Sequence, residues 1–199
     1  MPIFKEIIYN GITSGNVPAR TKVAREWFRD AATQVLDGSK SLKPKNIEKG
    51  FHPKRKVSRV EPGTMYMFRY DPKHKKTLPF YDVFPVVFPI EQYSDGFLGL
   101  NFHYLPPTLR AKLMDALYTI TSDKRYDDNT RVLASYKLMQ AASKFKYFKP
   151  TVKRYLNEFV KSPFLEVTAS EWDVAIFLPI ESFKKASKED VWAESRKMV

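Results

Sequence analysis

The stretch from Thr64 to Leu105 constrains the fold most, because its apolar side chains alternate in the way that β-strands require. Successive side chains of a strand point to opposite faces of its sheet. In Thr64–Tyr70 one face would carry Tyr66, Phe68 and Tyr70, and the other Met65, Met67 and Arg69. In Gly96–Leu105 one face would carry Leu98, Leu100, Phe102 and Tyr104, and the other Phe97, Asn101 and His103. The alternation predicts two strands.

A further strand is predicted between these two, at Val83–Ile90. Pro85 and Pro89 lie within it, and proline has no backbone N–H to donate to a neighbouring strand. We therefore expect this strand to lie at an edge of the sheet or to be bulged. Ser94–Gly96 has the composition of a turn. Three or four such strands with an inserted loop predict a small antiparallel sheet, either curled or closed as an SH3-like barrel.

Helical signals flank this β-rich centre. An N-terminal helix is predicted over about residues 18–36, where Trp27, Phe28 and other apolar residues recur at helical spacing. The C-terminal half is predicted to be largely helical, apart from one buried strand at Trp172–Ile180. Its helices are expected after Pro107, after an N-cap at Asn129, over Thr151–Val160, and after the capping box Ser187–Asp190.

These elements predict an α+β chain that forms a single domain. Its parts are an N-terminal segment and helix (1–37), a basic linker (38–62) and a β-core with packed helices (63–199). A length of 199 residues, 43% of them hydrophobic, is enough for one core. The absence of cysteine excludes disulfides, thiolate metal sites and cysteine nucleophiles. Because the sequence shows no signal-peptide pattern and no apolar stretch near about 18 residues, we expect a soluble protein with no membrane partner.

The sequence predicts no enzymatic activity and no cofactor. Its three histidines are not at metal-ligand spacing from one another, and it has no nucleophile-elbow, P-loop or dinucleotide-binding motif. His103 is interpreted as a hydrogen-bonded structural residue. A nuclease would need carboxylates such as Asp71, Asp82 and Glu91 to gather around Mg²⁺. The simpler interpretation is that Asp71 and Asp82 are turn residues.

Positive charge is concentrated in one part of the chain. The net charge is +12, and residues 38–80, with twelve basic and three acidic side chains, carry nine of those charges. Concentrated charge of this kind favours a polyanionic partner or an acidic protein surface over a general role in solubility. Lysine predominates over arginine in the basic tracts, which favours sequence-independent contact with phosphates over the reading of bases.

Three basic groups are the candidate nucleic-acid-binding residues. The first lies near the end of the linker, the second lies in the loop after the first core strand, and the third contains no acidic residue and is interleaved with Phe145, Tyr147 and Phe148. These aromatics could stack on exposed bases or seat a helix junction in the core. The candidates are Lys54, Arg55, Lys56 and Arg59; Lys73, Lys75 and Lys76; and Lys144, Lys146, Lys149, Lys153 and Arg154.

Three stretches carry a resemblance to a known family. They are "GTMYMFRYDPKHKKTLPFYDVFPVVFPI", "GFLGLNFHYLPPTLRAKLMDAL" and, more weakly, "AIFLPIESFKKASKEDVWAESRK". The chain resembles a family of small proteins of T4-like tailed bacteriophages, of the DNA end protector or head-completion type. The match is best between Gly63 and Leu117.

The resemblance implies a function. It implies a non-enzymatic virion-assembly protein that binds the phosphate backbone of double-stranded DNA, at its ends, during head completion or packaging. Its partners would include other phage virion proteins, and it would be found in the virion or the host cytoplasm. The alternative is a structural subunit of the tail, neck or baseplate whose basic tract docks on an acidic protein neighbour.

Overall fold

The computed structural model describes residues 53–119, 127–140, 145–146 and 148–198. The predicted N-terminal helix and most of the basic linker lie outside the described residues, as do Lys144 and Tyr147. The structure therefore bears on the predicted core, the end of the linker and most of the candidate basic residues.

The strands of the described residues are β1 (Lys56–Val57), β2 (Met65–Met67), β3 (Tyr81–Asp82), β4 (Val86–Tyr93), β5 (Gly96–Asn101), β6 (Val152–Leu156), β7 (Phe164–Val167) and β8 (Phe183–Lys184). Six of these strands form one antiparallel sheet in the order β1-β7-β2-β4-β5-β6. The other two, β3 and β8, pair antiparallel in a small second sheet. The described helices are α1 (Pro107–Thr119), α2 (Asp128–Gln140), the single turn α3 (Trp172–Ala175) and α4 (Lys188–Lys197). The predicted α+β class is confirmed.

Both faces of strand β2 are buried, as its alternating sequence predicts. Met65 and Met67 face a large cluster that includes side chains of β4, β5, α1 and α2. Tyr66 and the following Phe68 face a second cluster, which we call the aromatic cluster: Val60, Tyr66, Phe68, Tyr70, Val87, Phe97, Tyr155 and Phe164. The ring of Phe68 makes edge-to-face contacts with four of these rings, at centroid distances of 5.0–6.3 Å. The sheet thus separates two hydrophobic cores.

The residues that follow β2 are hydrogen-bonded to the segment that connects β6 and β7. That link contains a 3₁₀ turn at Asn157–Phe159. Here the N–H of Asp71 donates to the carbonyl of Phe159 at 3.0 Å, and the N–H of Lys161 donates to that of Arg69 at 2.7 Å. These bonds draw the link against the end of β2, beside the aromatic cluster. Closure of the sheet as an SH3-like barrel stays a prediction.

The predicted strand with two prolines is bulged but does not lie at an edge. Strand β4 pairs with β2 on one side and with β5 on the other. Its pairing with β5 shifts register between Pro89 and Glu91, so the bulge accommodates the proline. Pro85 lies before the strand begins, where no sheet N–H is required of it. Of the two expected solutions, an edge position or a bulge, the structure therefore shows the bulge.

Two elements differ in type from the prediction. Thr151–Val160 was predicted to be a helix, but most of it is strand β6 and the 3₁₀ turn that follows; Val152 to Leu156 pair with β5 through five residues. Trp172–Ile180 was predicted to be a strand, but it begins as the helical turn α3. A capping box of Thr168 and Glu171 starts the 3₁₀ turn Ala169–Glu171, which leads directly into α3. The burial predicted for this segment is seen at Trp172, Ala175, Ile176, Leu178 and Ile180.

The helical predictions around α1, α2 and α4 are confirmed with small corrections. Strand β5 ends at Asn101, and His103 lies in a 3₁₀ turn rather than in the strand. Helix α2 begins one residue before Asn129, and its first-turn acceptor is Asp127, whose Oδ1 accepts from the N–H of Thr130 at 2.7 Å. Helix α4 begins after Ser187 with the predicted capping box.

Substitution Gly63→Ala should lower the free energy of unfolding by about 1–3 kcal/mol. Gly63 has a φ of +85°, and a methyl group there would lie 2.5 Å from the backbone oxygen of Asn129. Equilibrium unfolding in urea measures the loss. The exposed hairpin variant Ser94→Ala should change stability by less than about 0.5 kcal/mol. Equal stability of the two variants would contradict the close approach of Gly63 to the backbone of α2 at Asn129.

Candidate nucleic-acid interface

The loop between β2 and β3 presents exposed cations on an anchored backbone. We call residues 72–79 the lysine loop; the side chains of Lys73, His74, Lys75 and Lys76 are exposed. From the C-terminal segment, the ammonium of Lys185 donates to the carbonyls of Lys76 and Leu78, both at 2.9 Å. Strand β3, directly after the loop, pairs with β8. The loop is therefore held against the C-terminal segment at several points.

The lysines of the loop are not equivalent. The ammonium of Lys75 binds both carboxylate oxygens of Asp71, at 2.7 and 3.0 Å, and this hydrogen bond raises the pKa of Lys75. Within the described residues, the ammonium groups of Lys73 and Lys76 have no ion-pair partner. Asp71 thus serves the loop itself, so its interpretation as a local structural residue is supported. Lys73 and Lys76 are the cations best placed to meet an anion from solution.

A cavity of about 490 Å³ lies beside the lysine loop. We call it the Lys153 cavity. It brings together residues that sequence reasoning placed in two separate basic groups, because Lys73 comes from the loop and Lys153 and Arg154 come from β6. The wall is mainly aromatic and aliphatic: Tyr70, Pro72, Leu78, Pro79, Phe80, Tyr81, Tyr104, Tyr155, Leu156 and Met198, with His74 and Asp82 completing it.

Lys153 is the unusual cation of this cavity. Its side chain is half-buried, and its ammonium lies 4.0 Å from the centroid of the Tyr104 ring, a cation–π contact. No hydrogen bond or ion pair to Lys153 Nζ is found within the described part of the chain. Burial lowers the pKa of Lys153 to about 8. The fold therefore keeps a poorly solvated ammonium at the cavity, with no ion pair to a carboxylate among the described residues.

A buried polar network lies behind the cavity wall. Asp82 Oδ2 accepts from Nδ1 of His103 at 2.7 Å and from the side-chain amide of Asn101 at 3.2 Å, and Oδ1 accepts from the N–H of Phe84 at 3.0 Å. The same amide reaches the hydroxyl of Tyr155 at 3.0 Å. Burial alone would raise the pKa of Asp82, but His103 and these hydrogen bonds outweigh it and lower the pKa. The ionised carboxylate only accepts, so Nδ1 of His103 carries the hydrogen.

This network corrects one interpretation and supports another. Asp82 was interpreted as a turn residue, yet it is buried and organises the core. His103 has the structural role predicted for it. Asp71, Asp82 and Glu91 do not form a metal site. In the described ranges, no three histidine, cysteine or carboxylate side chains come together to hold a metal ion.

The other predicted basic residues are dispersed. Arg55 pairs with Glu171 and also donates to the carbonyl of Glu166, so it ties the end of the linker to β7 and α3. Lys54 and Arg59 are exposed and Lys56 is half-buried in β1, at the opposite end of the strand order from β6. Lys146 and Lys149 are exposed near the start of β6. None of these six residues lines the Lys153 cavity.

Arg154 differs from its neighbour Lys153. Its guanidinium pairs with Asp95, donates to the carbonyl of Tyr155 at 2.8 Å and lies 4.2 Å from the ring centroid of Tyr93. Its charge is therefore already partly balanced by the β4–β5 hairpin. Arg154 contributes to the cavity wall more as a fixed structural cation than as a free one.

Two lysines near the lysine loop, Lys184 and Lys185, were not among the residues predicted from the sequence. Lys184 pairs with Tyr81 across β3 and β8, and Lys185 holds the lysine loop. The basic run "FKKASK" at the start of α4 was the sequence signal that could have identified these two lysines.

The sequence left open whether the aromatics of the third basic group stack on bases or pack in the core. Phe148 is buried and Phe145 packs on the Tyr136 ring at 5.7 Å, so both of these side chains pack in the core.

The fold and this surface define a basic α+β protein in which an anchored lysine loop and a half-buried lysine share one cavity. A family model described as phage T4 terminal DNA protecting protein matches residues 3–196. The chain belongs to this bacteriophage family, which confirms the resemblance seen in the sequence. No curated protein and no solved structure gives a significant match. None of the helices within the described ranges is long and apolar enough to cross a membrane.

Substitution Lys153→Met should raise the melting temperature at pH 7. The lowered pKa means that the charged form is disfavoured by folding, so the penalty is complete below about pH 8 and fades as pH rises towards 10.5. Each kcal/mol of this burial penalty that the substitution removes should raise the melting temperature by about 2–4 °C. Calorimetry at pH 7 and pH 10 should show a larger gain at pH 7. A lower melting temperature than wild type at both pH values would contradict the burial of an unpaired cation.

Substitution Asp82→Ala should lower the free energy of unfolding by about 3–5 kcal/mol, because it removes a buried acceptor shared by three donors. The lowered pKa means that the ionised carboxylate stabilises the fold above its ordinary value of 3.8. This contribution is lost as pH falls through the lowered pKa. Urea unfolding should therefore show a smaller difference in the free energy of unfolding between wild type and Asp82→Ala at pH 3 than at pH 7. As an exposed control, Glu189→Ala should lower the free energy of unfolding at pH 7 far less than Asp82→Ala does.

Proposed function

We propose that this protein is a non-enzymatic DNA end protector that binds duplex DNA through sequence-independent phosphate contacts during head completion or packaging. The observation that carries the proposal is the pair of exposed lysines, Lys73 and Lys76, on an anchored loop beside the Lys153 cavity, in a chain of the terminal DNA protecting family. Lysine contacts phosphate as a point charge and gives affinity without sequence preference.

Anchoring of the loop favours this use. Ordering a flexible loop on binding costs conformational entropy, which weakens the complex. Here the Lys185 ammonium, the Lys75–Asp71 ion pair and the β3–β8 pairing already hold the loop backbone in the free protein. Lys73 and Lys76 can therefore contact phosphates with little further ordering of the main chain.

We assign unequal roles to the predicted basic residues. Lys73, Lys76 and Lys153 form the centre of the DNA surface, and Lys75 supports it. Exposed residues outside the cavity, namely Lys54, Arg59, Lys146 and Lys149, add long-range attraction. Arg55, Lys56 and Arg154 act mainly in the fold, because ion pairs or strand pairing engage them.

The proposal extends to the setting of the protein. A chain that stays on the ends of a packaged genome would lie in the virion, after assembly in the host cytoplasm, and would contact other virion proteins. The proposal includes no cofactor and no catalysis. It is supported by the family and by the use of Asp71 and Asp82 in local structure rather than in an open site.

The affinity for linear duplex DNA should fall steeply with salt. Each neutralised phosphate contributes about −0.9 to the slope of log K against log[salt], so five or six contacts give a slope near −5. The variant Lys73→Ala/Lys76→Ala should reduce the magnitude of this slope by about 2. Electrophoretic shift or filter binding at four salt concentrations measures it.

A matched control separates local from general charge effects. Lys112→Ala/Lys137→Ala removes the same charge from exposed positions on α1 and α2 and should leave the slope nearly unchanged. A preference for linear over circular duplex shows binding to ends. If wild type binds DNA weakly, with a flat salt response, and instead co-purifies with an acidic virion protein, the docking alternative is correct.

A further inference from the structure

The Lys153 cavity has the properties of a ligand site rather than of a packing defect. Its volume of about 490 Å³ lies within the range of about 300–1,000 Å³ of small-molecule sites. Its wall is mainly apolar and aromatic, with a few polar groups that converge from different elements. Sites of this composition bind a ligand that has both a flat apolar part and a charged part.

We propose that the Lys153 cavity receives the terminal nucleotide of a DNA strand, with its terminal phosphate at the Lys153 ammonium and its base among the aromatic rings. This inference rests on the proposed function and assigns the site that distinguishes a DNA end from the rest of the duplex. The lysine loop would hold the phosphates that follow.

The charges around the cavity favour an anionic ligand. Lys153 is half-buried and lacks an ion-pair partner within the described residues, so an incoming phosphate would supply the missing counter-charge. The Asp82 carboxylate on the same wall already accepts from Asn101, His103 and Phe84, which reduces its repulsion of an anion. At the cavity, Lys73 and His74 add donors from the lysine loop.

The aromatic wall suits a base. Tyr70, Phe80, Tyr81, Tyr104 and Tyr155 are among its lining residues, and stacking of bases on aromatic rings is independent of sequence. The rings are also held in place. Tyr104 packs edge to face on Phe183 at 5.2 Å, and Tyr155 belongs to the aromatic cluster. A rigid aromatic wall can accept any terminal base.

A cavity of this kind selects ends for two physical reasons. A terminal nucleotide is stacked on one side only, whereas an internal nucleotide must be flipped out from between two neighbours while the strand stays attached on both sides, which costs more unstacking free energy. A terminal phosphate monoester carries about −1.5 to −2 charges at pH 7, as other monoesters do, whereas an internal diester carries one. Lys153 would therefore attract a terminal phosphate more strongly than the backbone.

The test compares short duplexes that differ only at one end. A hairpin duplex with one blunt end is prepared with a 5′-phosphate, with a 3′-phosphate or with neither. A dumbbell of the same stem has no end. Fluorescence anisotropy competition gives their relative affinities for the full chain. We expect the open hairpin to bind more tightly than the dumbbell, and one of the terminal phosphates to add about tenfold.

Variants connect the phosphate effect to the cavity. Lys153→Met and Lys153→Gln should bind all hairpins with about the same affinity, whereas Lys112→Met, an exposed lysine of α1, should keep the tenfold effect. Thermal unfolding shows that each variant is folded. A phosphorylated hairpin whose terminal residue is abasic should bind several-fold more weakly to wild type, because stacking is lost.

The outcomes separate this inference from the proposed function. If the open hairpin outcompetes the dumbbell but neither terminal phosphate matters, the protein binds ends and the cavity assignment is wrong. A phosphate effect that survives in both Lys153 variants also overturns the assignment. If the dumbbell and the hairpins bind equally, end binding itself fails. An abasic end that binds as well as a complete one contradicts the place given to the base.

Discussion

The burial of both faces of strand β2 is the constraint on which the rest of the structure depends. Met65 and Met67 are fully enclosed on one side, and Tyr66 and Phe68 on the other. A strand buried in this way needs a covering layer on each face and a neighbouring strand at each edge, which β4 and β7 provide. The chain that leaves β2 therefore emerges at a defined position, and that chain is the lysine loop.

Buried polar groups then determine the form of the surface around that loop. Asp82, Asn101 and His103 come from β3, β5 and the turn after β5, and their hydrogen bonds hold these elements together behind the cavity. Arg110 does the same for the C-terminal segment, because it donates to the carbonyls of Leu105 and Ile176 and pairs with Glu181. Buried groups of this kind are costly when unpaired, so they favour a single arrangement.

Much of the fold and part of the candidate site could be predicted from local pattern. Alternation in Thr64–Tyr70 identified both faces of β2, and the capping box at Ser187 located α4. The segment Thr151–Val160 was misread as a helix because its strand character depends on pairing with β5, which lies about fifty residues earlier. The burial of Lys153 could not be predicted either, because it also depends on contacts with residues that are distant in the sequence. Nothing in "TVKRYL" distinguishes a lysine in a cavity from one in solvent.

The sequence by itself determined the α+β class, the alternation of β2 and β5, the need for an edge position or a bulge at the prolines of β4, the family and the existence of an exposed lysine loop. These features follow from side-chain period, backbone chemistry and charge, which act over a few residues. Only the tertiary structure decided which basic side chains share a cavity and which groups each of them contacts. It placed Lys73 and Lys153 at one cavity, paired Arg55 with Glu171 and brought Lys185 to the loop. These contacts depend on long-range pairing and burial, and so they cannot be predicted from the local sequence.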